Sequence, residues 1–265
     1  CALTMTERID TGEGLTVLVP VRTFEGEQVP TALVELLTAA SIPVVLLGYH
    51  VIPEQTAPEQ AREQFGEQAR AELDDLADAF RETDGTVETR FVFTRDPTQT
   101  FERVAVDERV DAILLLNPAP SVDRIFVPLS AGINTDRITA FASALAVGSD
   151  VTVRLVHVAD SEEARPAGDR LLEEAADALS ANGVPPDAIE RTVAVSQAPL
   201  QALSEMASDD TDLIVLGESQ PTVRELVFGE PSERLAERTL APVLVVRRLP
   251  AVESADGTAE ESKDE

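Results

Sequence analysis

One pattern constrains this chain before any other: short β-branched runs alternate with longer amphipathic stretches, and the alternation starts over near residue 123. Residues 15–21 (LTVLVPV), 43–51 (PVVLLGYHV), 86–94 (TVETRFVFT) and 111–117 (DAILLLN) read as strands, with helices predicted over 30–40, 57–81 and 98–107. Such alternation is the mark of a parallel sheet covered by helices. From 123 the same order returns as DRIFVPLS (123–130), VTVRLVHV (151–158), a strand at 189–196 and TDLIVLG (211–217), with helices predicted over 136–146, 162–182 and 199–207. Val19-Pro20 recurs 108 residues on as Val127-Pro128, and His50 recurs 107 residues on as His157. Two matches in order, at nearly one spacing, argue for a tandem duplication. The second copy alone goes on to a helix over 232–239 and a last strand, PVLVV, at 242–246. The first runs from Leu116 through NPAPS straight into its successor.

This gives a domain reading of an extension at 1–14, a truncated repeat at 15–118, a complete repeat at 123–248 and an acidic tail at 249–265. With 43% hydrophobic residues, the 265-residue chain can fill a core in each repeat. The tail, nearly devoid of apolar side chains, reads as disordered and solvated.

Charge narrows the partners. Lys and Arg number 21 against 49 Asp and Glu, for a net charge of −28, and a surface that negative repels nucleic acid and anionic membrane faces. Lys263 is the single lysine, and a carboxylate-rich, lysine-poor surface fits a protein kept hydrated in molar salt. A halophilic source is the expectation. Aromatic residues make up 4% of the chain, too few for platforms that stack single-stranded nucleic acid. Cys1 is the lone cysteine, so the chain holds neither an internal disulfide nor a cysteine metal cage. No run approaches the roughly 20 apolar residues that span a bilayer, and a cytoplasmic location is expected. The opening on Cys1 rather than Met reads as the start of a piece cut from a longer polypeptide, in preference to a processed lipoprotein end.

Catalytic patterns do not emerge. There is no phosphate loop of the form GxxxxGK[ST], no GxGxxG fingerprint and no His/Cys/Asp set at metal spacing. His50 and His157 stand alone on their strands, without a nucleophile that spacing can nominate. The chain reads as no enzyme, and neither a cofactor nor a metal is assigned with certainty.

Val127-Pro128 at the end of an opening strand, His157-Val158 ending the second, DLIVLG ending in Gly217, and FGEPSERLAERTLAPVLVVRR (228–248) together resemble the universal stress protein family. The likeness covers about 120 residues of the second copy, and more loosely the first through Val19-Pro20, His50-Val51 and the strand at Asp111. It implies an α/β fold of two tandem, doubly wound, Rossmann-like domains, each with a parallel sheet in the order 3-2-1-4-5, the first lacking its last strand. Ligands of such sheets sit at the carboxyl ends of the strands, where the strand order reverses. Many family members hold ATP or AMP there, over a signature of Gly, two residues, Gly, nine residues, Gly and a hydroxyl residue, because bare amides must approach the phosphates.

The resemblance assigns Pro128, Leu129, Ser130, Val158, Gly217, Gly229, Glu230 and Ser232 to such a crevice, in degenerate form. Gln220 stands at the second glycine, Glu230 replaces the hydroxyl residue, and Ser130 stands where nucleotide-binding members place Asp. A carboxylate about 4 Å from a phosphate costs roughly 4 kcal/mol at an effective dielectric of about 20. Gly217 and Gly229 also read as turn glycines, and Ser232 before Glu233 as a helix N-cap. The first copy has Arg22 at the place of Ser130 and no glycine loop.

The function so implied is a non-catalytic universal stress protein, a regulatory or ligand-sensing module that binds AMP or ATP weakly at most. Two alternatives are a cytosolic regulatory domain of an amino-acid permease-type transporter, and a true ATP-binding switch. A homodimer is expected through the last strand, pairing Val243, Leu244, Val245 and Val246 of two chains.

Overall fold

Prolines set most helix starts, and β-branched runs set the strands between them. The computed structural model describes residues 15–132, 134–208, 210–218 and 241–248. Its first half runs β1 (Val17–Arg22), α1 (Thr31–Ala39), β2 (Val44–Val51), α2 (Pro58–Arg81), β3 (Val87–Thr94), α3 (Pro97–Asp107) and β4 (Ala112–Leu115). The second runs β5 (Arg124–Pro128), α4 (Thr135–Ala146), β6 (Thr152–Ala159), α5 (Arg165–Ala181), β7 (Ile189–Val195), α6 (Pro199–Ser208) and β8 (Leu213–Gly217), with β9 (Val243–Val246) closing it. Pro30 caps α1, and Pro58, Pro97, Pro166 and Pro199 stand at the starts of α2, α3, α5 and α6. Proline loses no hydrogen bond there, since the first-turn amides have no helical partner. Before α3, the Asp96 carboxylate also accepts from the Gln99 amide at 3.0 Å.

Among the described residues the element boundaries fall within three residues of those predicted, the helix expected over 232–239 lying outside them, but the two halves are joined rather than strung end to end. All nine strands form one sheet in the order β3-β2-β1-β4-β9-β8-β5-β6-β7. Within the second half that is third, second, first, fourth and fifth. The first half reads third, second, first, fourth, and then meets β9. That strand runs parallel to β8, with Ile214 opposite Val243, and antiparallel to β4, with Ala112 opposite Val246 and Leu115 opposite Val243.

This corrects the expected dimer interface. Val243, Leu244, Val245 and Val246 have both their edges hydrogen-bonded inside the chain, and their side chains are at most 1% exposed. No free strand edge is left there for a second copy. The first half, which ends at β4, pairs with the last strand of the second, a closure the sequence reading set aside because the first half has no such strand of its own.

On one face of the sheet a single core runs through both halves. It joins Leu33 and Leu37 of α1, Leu73 and Phe80 of α2, Ile138 and Phe141 of α4, and Leu172 and Leu179 of α5 with alternate strand residues from Val17 to Val246. The other face carries two separate cores, one under α3 around Leu18, Leu47 and Phe101, the other under α6 around Phe126, Ile214, Val243 and Val245. Fully burying a side chain of this size contributes about 1.5–3 kcal/mol, so β9, whose alternate residues enter both faces, is a principal source of cohesion between the halves.

An acid before each fourth strand fastens the start of the first. The Asp111 carboxylate accepts from the Thr16 amide at 2.8 Å, and that of Asp212 accepts from the amides of Asp123 and Arg124, both at 2.9 Å. Asp111 also pairs with Arg137 of α4, across the two halves. Its carbonyl accepts from the Arg247 amide at 2.8 Å, while the Arg247 guanidinium donates to the carbonyls of Ala105 and Val110 and so caps the end of α3. Replacing Asp111 by Ala leaves Arg137, whose Nε is already buried without a partner, as an uncompensated charge. The expected loss in urea unfolding is about 3–5 kcal/mol, and a second change, Arg137→Met, should recover part of it by removing the orphaned guanidinium.

Candidate functional site

A parallel sheet opens a crevice where two neighbouring strands stop pairing and turn to opposite sides. The structure has two such places. β5 and β8 pair only through Ile125 with Leu213 and Phe126 with Ile214. Beyond that, β5 follows β6 as far as Pro128 while β8 follows β9 as far as Gly217. In the first half β1 and β4 likewise pair only at Val17 with Ala112 and Leu18 with Ile113, before β1 continues along β2 and β4 along β9.

In the second half the parting brings Pro128, Leu129 and Ser130 to one lip and Gly217 to the other. Pro128, Leu129 and Gly217 are buried, whereas Ser130 and Val158, the latter on β6, are half-buried. Leu129 is pinned twice: its amide donates to the Val156 carbonyl at 2.7 Å, and its carbonyl lies 2.8 Å from Nδ1 of His157. A carbonyl only accepts, so His157 carries its proton on Nδ1. Across the crevice the Glu218 amide donates to the Val246 carbonyl at 2.8 Å, and the Glu218 carboxylate accepts from the Arg248 amide at 2.9 Å. Gly229, Glu230 and Ser232, with Gln220, lie outside the described residues.

His157 has a partner that the sequence reading missed. A methyl group on Gly168, in the first turn of α5, would stand 2.4 Å from the imidazole Cδ2 and 3.2 Å from both Nε2 and Val193 Cγ1. The helix can lie against the ring only because no side chain is present. A glycine inside a predicted helix, in line with a lone histidine on the adjacent strand, was the available signal.

The corresponding place in the first half is filled by the chain itself. Arg22 Nε donates to the Tyr49 hydroxyl at 2.9 Å, and the Arg22 amide donates to the Glu27 carboxylate at 2.5 Å. Both carboxylate oxygens of Glu72, from α2, accept from the Phe24 amide at 3.0 Å. Phe24 holds a φ of 68°, rare for a bulky residue, and its ring meets His50 edge-on at 5.1 Å. The amides at the end of β1, where an anionic ligand would be met, are thus taken by internal carboxylates. Sequence separation hides this, since Glu72 lies 48 residues from Phe24.

The hydrogen bond donated to Tyr49 and the nearby charges hold the Arg22 guanidinium above its usual value, while burial pushes the Tyr49 phenol up against the opposing pull of Arg22. A cavity of about 400 Å3 between Arg124, Arg154, Glu190 and Glu205 lies at the other, amino-terminal end of β5. It is remote from the strand ends where the crevices open. Among the described residues no helix is long and apolar enough to cross a membrane, and no three His, Cys, Asp or Glu side chains converge on a metal position.

An open α/β sheet with a crevice at its strand-order reversal defines a Rossmann-like binding module. Residues 121–247, just under half of the chain, match the Universal stress protein family. A universal stress protein from Archaeoglobus fulgidus DSM 4304 shares the fold over 88% of this chain and 96% of its own, with a TM-score of 0.61 at 14% identity. The putative universal stress protein of Pseudomonas aeruginosa UCBPP-PA14 does so over 88% and 92%, with a TM-score of 0.55 at 15% identity. A universal stress protein in complex with cAMP aligns with 49% of this chain and 98% of its own, with a TM-score of 0.39 at 26% identity. No curated protein matches the chain.

Two outcomes are expected here. Gly168→Ala should cost about 1–3 kcal/mol through overpacking and shift the His157 ring resonances in NMR spectra, as the contact with Leu129 is disturbed. Tyr49 is the only tyrosine, so phenolate absorbance reports it alone. A phenol whose folded pKa is raised contributes stability that is complete below about pH 10 and is lost as pH rises through the folded value. Tyr49→Phe should flatten that alkaline loss, and a titration midpoint at or below that of free tyrosine would refute the assignment.

Proposed function

We propose that this chain is a non-catalytic, universal-stress-type sensing module whose ligand, an adenine nucleotide with few phosphates, enters the crevice between β5 and β8. The observation that carries this reading is the early parting of those strands, with Leu129 anchored by His157 on one lip and the side-chain-free Gly217 on the other. The first-half crevice cannot serve in the same way, because Glu27 and Glu72 occupy its amides. The tandem arrangement then has one working site and one stopped site. The acidic composition suits a cell interior rich in salt, where screening within a few ångströms relieves self-repulsion.

Sequence supports the restriction on phosphates. Gly217 keeps the first signature position, whereas Gln220 and Glu230 oppose close approach and added negative charge. Calorimetric titration at high KCl should show AMP binding more tightly than ATP with magnesium, with no phosphate released on incubation. Glu230→Ser should raise affinity for ATP by roughly 10-fold or more, from removal of a like charge, and leave that for adenosine unchanged. Saturation by ATP at micromolar concentration in the unaltered protein, or turnover of it, would sink this function.

A further inference from the structure

Helix α2 carries seven carboxylates and three arginines. In so acidic a helix each guanidinium has a carboxylate three or four residues away, the spacing at which side chains meet. Arg81 uses this, pairing with Asp78 at 2.7 Å and approaching Asp74 at 4.0 Å. Arg62 and Arg70 do not. Arg62 has Glu59 at three residues, and Arg70 has Glu67 at three and Asp74 at four, yet among the described residues neither arginine makes an ion pair or hydrogen bond.

Both instead line one groove of about 330 Å3 between α2 and β3, together with Asp74, Arg90, Leu73 and Phe91, the Asp74 carboxylate lying 4.0 Å from Arg81. Eight residues separate Arg62 from Arg70, so they share a helix face two turns apart, and Gly66 stands midway. Glycine is unfavourable in a helix interior; here it lies buried beneath the Arg62 stem, whose Cγ a methyl group at this position would meet at 3.5 Å. Arg90 is held rigid, donating from Nε and Nη2 to Glu108 at 2.6 and 3.1 Å and from Nη2 to Glu88 at 3.1 Å. The uncommitted forks are those of Arg62 and Arg70. β3 is the terminal strand of the sheet, so this groove lies on the outer flank of the first half, away from the crevice between β5 and β8.

From this arrangement we propose that the groove between α2 and β3 is a binding site for a small phosphate-bearing organic molecule. The helix's own carboxylates, present at permanently high local concentration, leave both guanidiniums free, so a single monoanion gains little there. A phosphate dianion offers three acceptor oxygens and two charges, and can engage both forks at once. Half-buried Phe91 supplies an apolar surface for the organic part. A long polyanion is disfavoured by the field of a chain with net charge −28.

The probes are phenyl phosphate, inorganic phosphate and a phosphoserine peptide, titrated calorimetrically into the full chain. Phenyl phosphate should bind saturably and more tightly than the other two. The double variant Arg62→Gln, Arg70→Gln should weaken it roughly 10-fold or more, given the strength of hydrogen bonds between charged groups. Arg103→Gln, which removes an exposed arginine of α3 outside the groove, should leave it unchanged. Because both groove arginines are exposed, the double variant should keep the wild-type unfolding midpoint and its response to AMP. Undiminished binding of phenyl phosphate by the double variant, no saturation of the wild type in the millimolar range, or tighter binding of either other probe would overturn the proposal.

Discussion

The antiparallel pairing of β9 with β4 is the contact on which the rest of the molecule depends. It joins a four-stranded and a five-stranded sheet into one, with β3 and β7 as the terminal strands among the described residues. A buried apolar strand with an open edge would recruit another chain; here the recruit is the chain's own first half. The shared core beneath α1, α2, α4 and α5 follows from this, because those helices can pack over one uninterrupted surface. Asp111 then works as a fastening at the seam. It reaches β1 through Thr16, α4 through Arg137 and the end of β9 through Arg247.

The same scaffold is used for opposite ends in the two halves. Each has a parting of strands where a ligand could lie, and each has a histidine on its second strand. In the second half that histidine steadies a backbone carbonyl at the lip of the crevice, against a helix made to fit by Gly168. In the first, Phe24 packs on His50 while two glutamates take the amides. Symmetry of backbone is retained and symmetry of chemistry is lost.

Acidic side chains account for much of this. Surface ion pairs such as Arg124 with Asp210 or Arg165 with Glu162 are exposed and contribute little each. The carboxylates with structural consequence are those that accept from backbone amides at strand and helix ends: Asp96, Asp111, Asp212, Glu27, Glu72 and Glu218. Desolvated amides at such ends need acceptors, and a chain this rich in carboxylates supplies them from within.

The sequence by itself determined the elements and their order. Periodicity placed the strands and prolines placed the helix starts, because these signals are local; strand ends, those at Pro128 and Gly217 among them, are legible from where apolar runs stop. Only the tertiary structure decided which strand neighbours which. A strand of four apolar residues carries no mark saying whose edge it will cover, so the partner of β9 could not be read from its letters. The contacts of Glu72 with Phe24 and Asp111 with Arg137 were hidden for the same reason: each joins different elements well separated in the chain, and their meeting depends on how the helices settle on the finished sheet.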